Sequence, residues 1–299
     1  MNTLFLGADS QISKSFNKLI ETKKNHLLKK FDFEFLRHKD LRKLDNIIKK
    51  NQPKIIINTM VYHPVDLCEI NQDKSLNGNF YISKKIIQII KKIKNYTPLY
   101  IYFSSDYVYS TIDMRAKFDE NTKTKPLNTL GKHKLLTEEY LAQNYHNFFI
   151  FRISWLFSEY NKNFVKTVSN LMKNNEVIEV VNDQKGNPTS AKFVAELLLK
   201  IIKNKNKNFD RGIYNFSNLP NITWYDFAKQ IRKYIKKTHL KNKSIKKITL
   251  VNYNKKNNIK TIRPQNSSMK INKAMKIFQI PKKKFGWEKY LKEVIKNLN

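Results

Sequence analysis

The feature that most constrains the fold is a rhythm of short apolar runs. Leu4-Phe5-Leu6, Ile55-Ile56-Ile57, Leu99-Tyr100-Ile101-Tyr102-Phe103 and Phe148-Phe149-Ile150-Phe151 recur along the first half of the chain, with helical patterns in the long stretches between them. Runs that are apolar at every position suit strands buried on both faces, and their alternation with helices implies βαβ units and a parallel sheet. Ile82 to Ile93 and Lys134 to Gln143 read as crossover helices. The first run ends at Gly7 and is followed by Ala8-Asp9-Ser10-Gln11-Ile12-Ser13 and the periodic Phe16, Leu19 and Ile20, which is strand, tight loop, helix. The expected class is α/β, a Rossmann-type doubly wound parallel sheet whose ligand crevice lies at the carboxyl ends of the strands.

Past Trp155 the rhythm shortens, with a strand at Val177 to Val181 and a helix at Thr223 to Lys236. Two lobes follow as the economical division of a chain this long. Residues 1–155 form the sheet domain, completed by segments from 190–215, and 156–299 form a smaller α/β lobe partly interleaved with it. The Lys- and Asn-rich stretches Lys203 to Asn208 and Lys241 to Asn258 read as exposed loops.

Charge bears on partners. Fifty-eight Lys plus Arg against 24 Asp plus Glu leave a net +34, a balance that invites nucleic acid. Only seven of the basic residues are arginines, however: Arg37, Arg42, Arg115, Arg152, Arg211, Arg232 and Arg263. Arginine's fork dominates base and bidentate phosphate contacts, whereas these lysines are scattered among Asn and Ile, the residues of AT-rich codons. No specific nucleic-acid partner is expected. The single cysteine, Cys68, makes neither an intrachain disulfide nor a metal cluster, and the six histidines lack ligand spacing, so no metal is expected. No run approaches the ~20 apolar residues of a membrane span, and the start lacks the basic and long apolar regions of a signal peptide. The expected location is the cytoplasm.

Several motifs fall in one order along nearly the whole chain. They are Gly7 to Ser13, Ile57-Asn58-Thr59-Met60-Val61-Tyr62-His63-Pro64-Val65-Asp66, Phe103-Ser104-Ser105-Asp106-Tyr107-Val108-Tyr109, Pro126 to Lys134 and Arg152-Ile153-Ser154-Trp155. Asp183 to Ser190, Ile213 to Ser217, Thr223 to Ala228 and Arg263-Pro264-Gln265-Asn266-Ser267 continue the series. Together they resemble the dTDP-4-dehydrorhamnose reductase family, extended short-chain reductases that finish dTDP-L-rhamnose synthesis.

The resemblance implies that NADPH (or NADH) passes a hydride to a 4-keto nucleotide sugar, most simply a dTDP-linked one, for rhamnose and surface-polysaccharide precursors. It places the first domain as NAD(P)-binding and the second as substrate-binding, with a possible homodimer. Cofactor contacts carry over to Gly7, Ser10, Gln11, Ile12, Asn58, Thr59, Met60 and Lys134. The hydroxyl that bonds the substrate oxygen carries over to Ser105, and substrate contacts to Asp106, Tyr107, Trp155 and Arg263. The chain departs from the family in two places. Its glycine motif keeps only Gly7, with Ser10 and Ser13 at the later glycines, and the general-acid tyrosine, four residues before Lys134, is Leu130.

An isobutyl group donates no proton, and loss of a positioned general acid typically removes ~10²–10⁴ in rate. Tyr107 is a candidate substitute; Tyr81 with Lys85 and Tyr225 with Lys229 have the spacing but sit in other family segments. Leu130 and Lys134, at i and i+4, should share a helix face turned toward the crevice. The alternative reading is a catalytically silent member that binds a nucleotide sugar or cofactor, or regulates a partner.

Overall fold

The computed structural model describes residues 2–22, 32–36, 43–174, 177–204, 209–235 and 243–298. Its first half is β1 (Asn2–Leu6), α1 (Gln11–Thr22), β2 (Asp32–Leu36), α2 (Leu44–Asn51), β3 (Ile55–Asn58), α3 (Val65–Ile70), α4 (Gln72–Leu76), α5 (Ile82–Lys91), β4 (Leu99–Ser105), α6 (Thr129–Asn144) and β5 (Phe148–Ile153). Then come β6 (Leu156–Phe157), α7 (Phe164–Asn174), β7 (Val177–Val181), β8 (Lys185–Gly186), β9 (Thr189–Ser190), α8 (Ala191–Lys203) and β10 (Gly212–Asn215). The chain ends with β11 (Ile222–Thr223), α9 (Trp224–Tyr234), β12 (Ser244–Ile248), α10 (Leu250–Lys256), α11 (Asn272–Ile277) and α12 (Glu288–Leu298).

Six parallel strands form one sheet in the order β10-β5-β4-β3-β1-β2. The apolar runs are continuous because both faces are covered, and alternate residues feed different cores. Phe5, Phe149 and Phe151 enter a core with α1, α7 and α8, while Leu4, Leu6, Phe148 and Ile150 enter another with α2, α5 and α6. β10 lies beside β5, with Asn215 opposite Arg152, so residues distant in sequence extend the edge of the sheet. Register puts Leu6 beside Asn58, and Ser105 beside Ile153. Gly7, Thr59, Asp106 and Ser154 therefore leave the sheet at one end, which sets the place of a crevice.

The expected crossover helices are α5 and α6, and the expected second-lobe helix is α9, whose N-cap is Thr223: its hydroxyl accepts from the Asp226 N–H at 3.1 Å. Lys241 to Asn258 is not a loop from Ser244 onward. β12 pairs in parallel with β7, Ser244 opposite Val177 through Ile248 opposite Val181, and Thr249 caps α10. Within Lys203 to Asn208, Lys203 closes α8 and residues 205–208 lie outside the described residues. No helix among the described residues is long and apolar enough to cross a membrane, and no cluster there could hold a metal.

Candidate active site

The loop after β1 turns at Gly7, whose φ of +89° suits glycine; a Cβ there would lie 2.6 Å from Thr59 Oγ1 and 3.1 Å from Met60 N. Ser10 closes the turn, donating its N–H to the Gly7 carbonyl at 2.9 Å, and its hydroxyl caps α1 by accepting from the Ser13 N–H at 3.0 Å. The two serines at the lost glycines form one hydroxyl cluster with Thr59: Ser10 Oγ donates to Thr59 Oγ1 at 2.8 Å, and Ser13 Oγ lies 3.2 Å from it. The added side chains are thus drawn toward β3.

Asn58, Thr59 and Met60 are buried. Asn58 Nδ2 donates to Tyr100 Oη at 2.9 Å, Asn58 Oδ1 accepts from Met60 N at 3.0 Å, and Thr59 donates to the Leu6 carbonyl at 2.7 Å. Ile12 belongs to the core, and Gln11 Oε1 accepts from Ser158 Oγ at 2.7 Å. The side chains expected at a cofactor are therefore taken up inside the protein, and what they leave to a ligand is the loop backbone and the start of α1. No acidic residue occupies the first turn of α1, whose N-terminus carries the helix's partial positive charge. That end and the Gly7 turn fit the pyrophosphate of a dinucleotide.

α6 begins at a tightly held point. Asn128 Oδ1 accepts from the Gly131 N–H at 2.9 Å, and Glu69 on α3 accepts from Thr129 N at 2.6 Å and Thr129 Oγ1 at 2.8 Å. Gly131 is obligatory, because a Cβ would collide with the Tyr107 carbonyl oxygen. This fixes the helix face carrying Leu130 and Lys134, but neither side chain is open: they are 5% and 4% exposed. Leu130 packs with Val65 and Cys68, against Tyr62 and Tyr107. Lys134 Nζ donates to the Phe103 carbonyl at 2.9 Å and lies over the Tyr102 ring, and burial pulls its ammonium down to about 7. The expected crevice-facing pair is instead an apolar plug beside a desolvated lysine.

At the end of β4, Ser105 is half-buried and caps the following turn by accepting from Tyr107 N at 3.2 Å. Its hydroxyl donates to Asp106 Oδ1 at 3.0 Å, and Ser267 donates to Asp106 Oδ2 at 2.6 Å. Asp106 is 3% exposed, and burial pushes its carboxyl up to about 6 against the pull of those two hydroxyls. Tyr107 shares its phenol with Arg263, and burial pushes that phenol up to about 12. Arg263 Nη2 forks onto Asp66 at 2.9 and 2.8 Å.

A cleft of about 350 Å3 opens beside these residues, lined among others by Tyr107, Trp155, Trp224, Lys185, Arg263 and Ser267. Trp155 stands at φ +44°, backed by Gly186 and stacked on Trp224 with ring centroids 3.4 Å apart and planes 7° from parallel. Tyr107, Trp155 and Arg263 are thus brought to one cleft, with Asp106 just behind Ser267. Sequence reasoning missed Asp66, Ser267, Trp224 and Glu69 as parts of the site; Asp66, Ser267 and Trp224 stood inside motifs already noted, while Glu69 carried no local signal. Of the other spaced pairs, Lys229 is ion-paired to Asp226 at 2.9 Å on α9 and Tyr81 is exposed, so neither builds a site.

Comparison with known proteins supplies the family. The model of the RmlD substrate binding domain matches residues 1–299. A dTDP-4-dehydrorhamnose reductase of Aggregatibacter actinomycetemcomitans is 29% identical over 97% of each chain, and one of Salmonella typhimurium is 32% identical over 60% of each. The crystal structure of a dTDP-4-dehydrorhamnose reductase from Bacillus anthracis in complex with NADP superimposes with a TM-score of 0.84 at 24% identity, covering 100% of this chain and 99% of that one. The chain therefore belongs to the RmlD substrate binding domain family, that of the dTDP-4-dehydrorhamnose reductases.

Proposed function

We propose that the protein reduces a 4-keto nucleotide sugar, most simply dTDP-4-dehydrorhamnose, with NADPH, in the supply of rhamnose for surface polysaccharide. The observation that carries this reading is a family match over the full chain joined to a cleft that gathers Tyr107, Trp155 and Arg263. When bound, NADPH supplies the hydride. The Gly7 turn, the backbone of Ser10 to Ile12 and Lys134 hold it. The Trp155 and Trp224 stack walls the place of the sugar, and the guanidinium of Arg263 takes a phosphate oxygen through its donor fork. Ser105 bonds the substrate carbonyl oxygen. In this scheme residues 1–155 form the cofactor-binding domain, which also contributes Ser105 and Trp155 to the substrate, 156–299 form the substrate-binding lobe, the protein works in the cytoplasm, and two copies form a homodimer.

The buried leucine favours a second reading, a silent member that binds the nucleotide sugar or the cofactor without turnover. Following NADPH oxidation with dTDP-4-dehydrorhamnose decides between them: slow, saturable oxidation supports the reductase, and NADPH binding without oxidation supports the silent binder. Leu130→Tyr is expected to raise turnover by ~10²-fold, because it places a phenol one helical turn from Lys134. Repacking against Val65 and Cys68 costs about 1–3 kcal/mol, to be read as a lower melting temperature.

A further inference from the structure

We propose that Asp106, acting through the Ser105 hydroxyl, is the proton source that replaces the acid missing at Leu130. The inference rests on the reductase reading and concerns which atoms supply the second hydrogen. Its basis is a hydrogen-bonded chain: Ser105 Oγ on Asp106 Oδ1 at 3.0 Å, and Ser267 Oγ on Asp106 Oδ2 at 2.6 Å. Asp106 is 3% exposed, so a proton enters or leaves its carboxyl through one of these two hydroxyls. Ser267 lines the cleft, and Ser105 stands at the end of β4 where the substrate oxygen is bound in the proposed scheme. A buried carboxyl enclosed by two hydroxyls, one of which lines the cleft, is an arrangement for passing a proton.

The other nearby groups are committed elsewhere. Tyr107 shares its phenol with Arg263, which is itself held by Asp66. Lys185, whose carbonyl accepts from Ser267 N, sends its ammonium to the Met114 carbonyl at 3.1 Å. Lys134 is turned to the Phe103 carbonyl. Among the described residues none of these charges forms an ion pair with Asp106, and its carboxyl is pushed up to about 6 by burial. An ionised Asp106 also captures the Ser105 hydrogen; a protonated one releases it toward the substrate.

Hydride from the dihydronicotinamide of NADPH forms the new C–H bond at the carbonyl carbon, and the C=O π pair moves to oxygen. The Ser105 O–H bond breaks as the sugar O–H forms, and the Asp106 O–H bond breaks to restore Ser105. Asp106 is left as carboxylate and is reprotonated from the cleft through Ser267.

Three measurements test this. Asp106→Asn should cut the kcat for NADPH oxidation ~10²-fold, with a much smaller change in KM, and should abolish the decline of kcat as pH rises past 6. Adding Leu130→Tyr to Asp106→Asn should restore turnover, which a merely structural loss near Ser105 would not permit. Carboxyl NMR of the whole protein should find Asp106 titrating above the ordinary carboxylate range, and higher still in Ser105→Ala, because the Ser105 hydrogen bond holds it down. An Asp106 that titrates like an exposed carboxylate, or an Asp106→Asn variant that keeps wild-type kcat and pH profile, overturns the relay. If the wild type binds NADPH but never oxidises it, the reductase reading falls and the relay with it, whereas oxidation that Asp106→Asn leaves untouched overturns the relay alone.

Discussion

The Lys134 ammonium shows how one residue can work against the fold that holds it. Its folded value of about 7 lies below the 10.5 of the free side chain, and burial is the cause. Below pH 7 both folded and unfolded chains hold the proton, and the folded state bears the full cost of a buried charge. Between about 7 and 10.5 the unfolded chain binds the extra proton, so stability rises with pH across that window. Lys134→Met should flatten this slope and raise the melting temperature most on the acid side; an unchanged slope in thermal melts from neutral to alkaline pH would refute the assignment. The same variant should lose NADPH affinity, since stability and binding make opposite demands on this side chain. This residue was legible from its place four positions after Leu130. Its partner, the Phe103 carbonyl, was not, because nothing in a sequence tells which carbonyl a desolvated lysine will meet.

Between elements, the same limit explains what sequence reading missed. Gly7 and its turn were readable because a local φ requirement leaves a local residue signature. The ties that set the site are long-range: Ser267 to Asp106 spans 161 positions, Arg263 to Asp66 spans 197, and Thr129 to Glu69 spans 60. Such partners are chosen by packing. β12 was hidden for another reason: Ser244-Ile245-Lys246-Lys247-Ile248 has two apolar residues in a Lys-rich background, and composition masked a strand that its pairing with β7 creates. The Glu69 tie carries a prediction. Its carboxylate satisfies the first N–H of α6 and sits at the positive end of that helix, so Glu69→Ala should cost ~1 kcal/mol, the usual loss of a helix cap. Because α6 carries Leu130 and Lys134, a loosened start should also raise hydrogen exchange in its first turn. Protection equal to wild type there would mean that Asn128 alone fixes the helix.

At the scale of the whole molecule the net +34 is the property no single contact explains. The ion pair of Glu138 with Arg152 is buried, with Arg152 also bonded to Tyr109, and cancels internally. The remaining excess is largely lysine, and exposed pairs such as Lys49 with Asp45 contribute little. A field of that sign attracts any polyanion, and both proposed ligands, NADPH and a nucleotide diphosphate sugar, are polyanions. Steering of this kind acts on encounter and is screened within about 10 Å at 0.1 M salt, whereas the bound complex is held by short contacts that salt reaches poorly. Association of NADPH and dTDP should therefore slow by roughly tenfold or more from low to high ionic strength in stopped-flow fluorescence, while dissociation changes much less. Duplex DNA should show the opposite balance. Without a groove-reading arginine cluster its binding should stay nonspecific, with a Kd of ~10⁻⁴–10⁻⁶ M at physiological salt, and should disappear as salt rises. A sequence-selective DNA complex that survives high salt would show that the lysines serve a nucleic acid; salt-insensitive ligand association would show that the charge serves neither ligand.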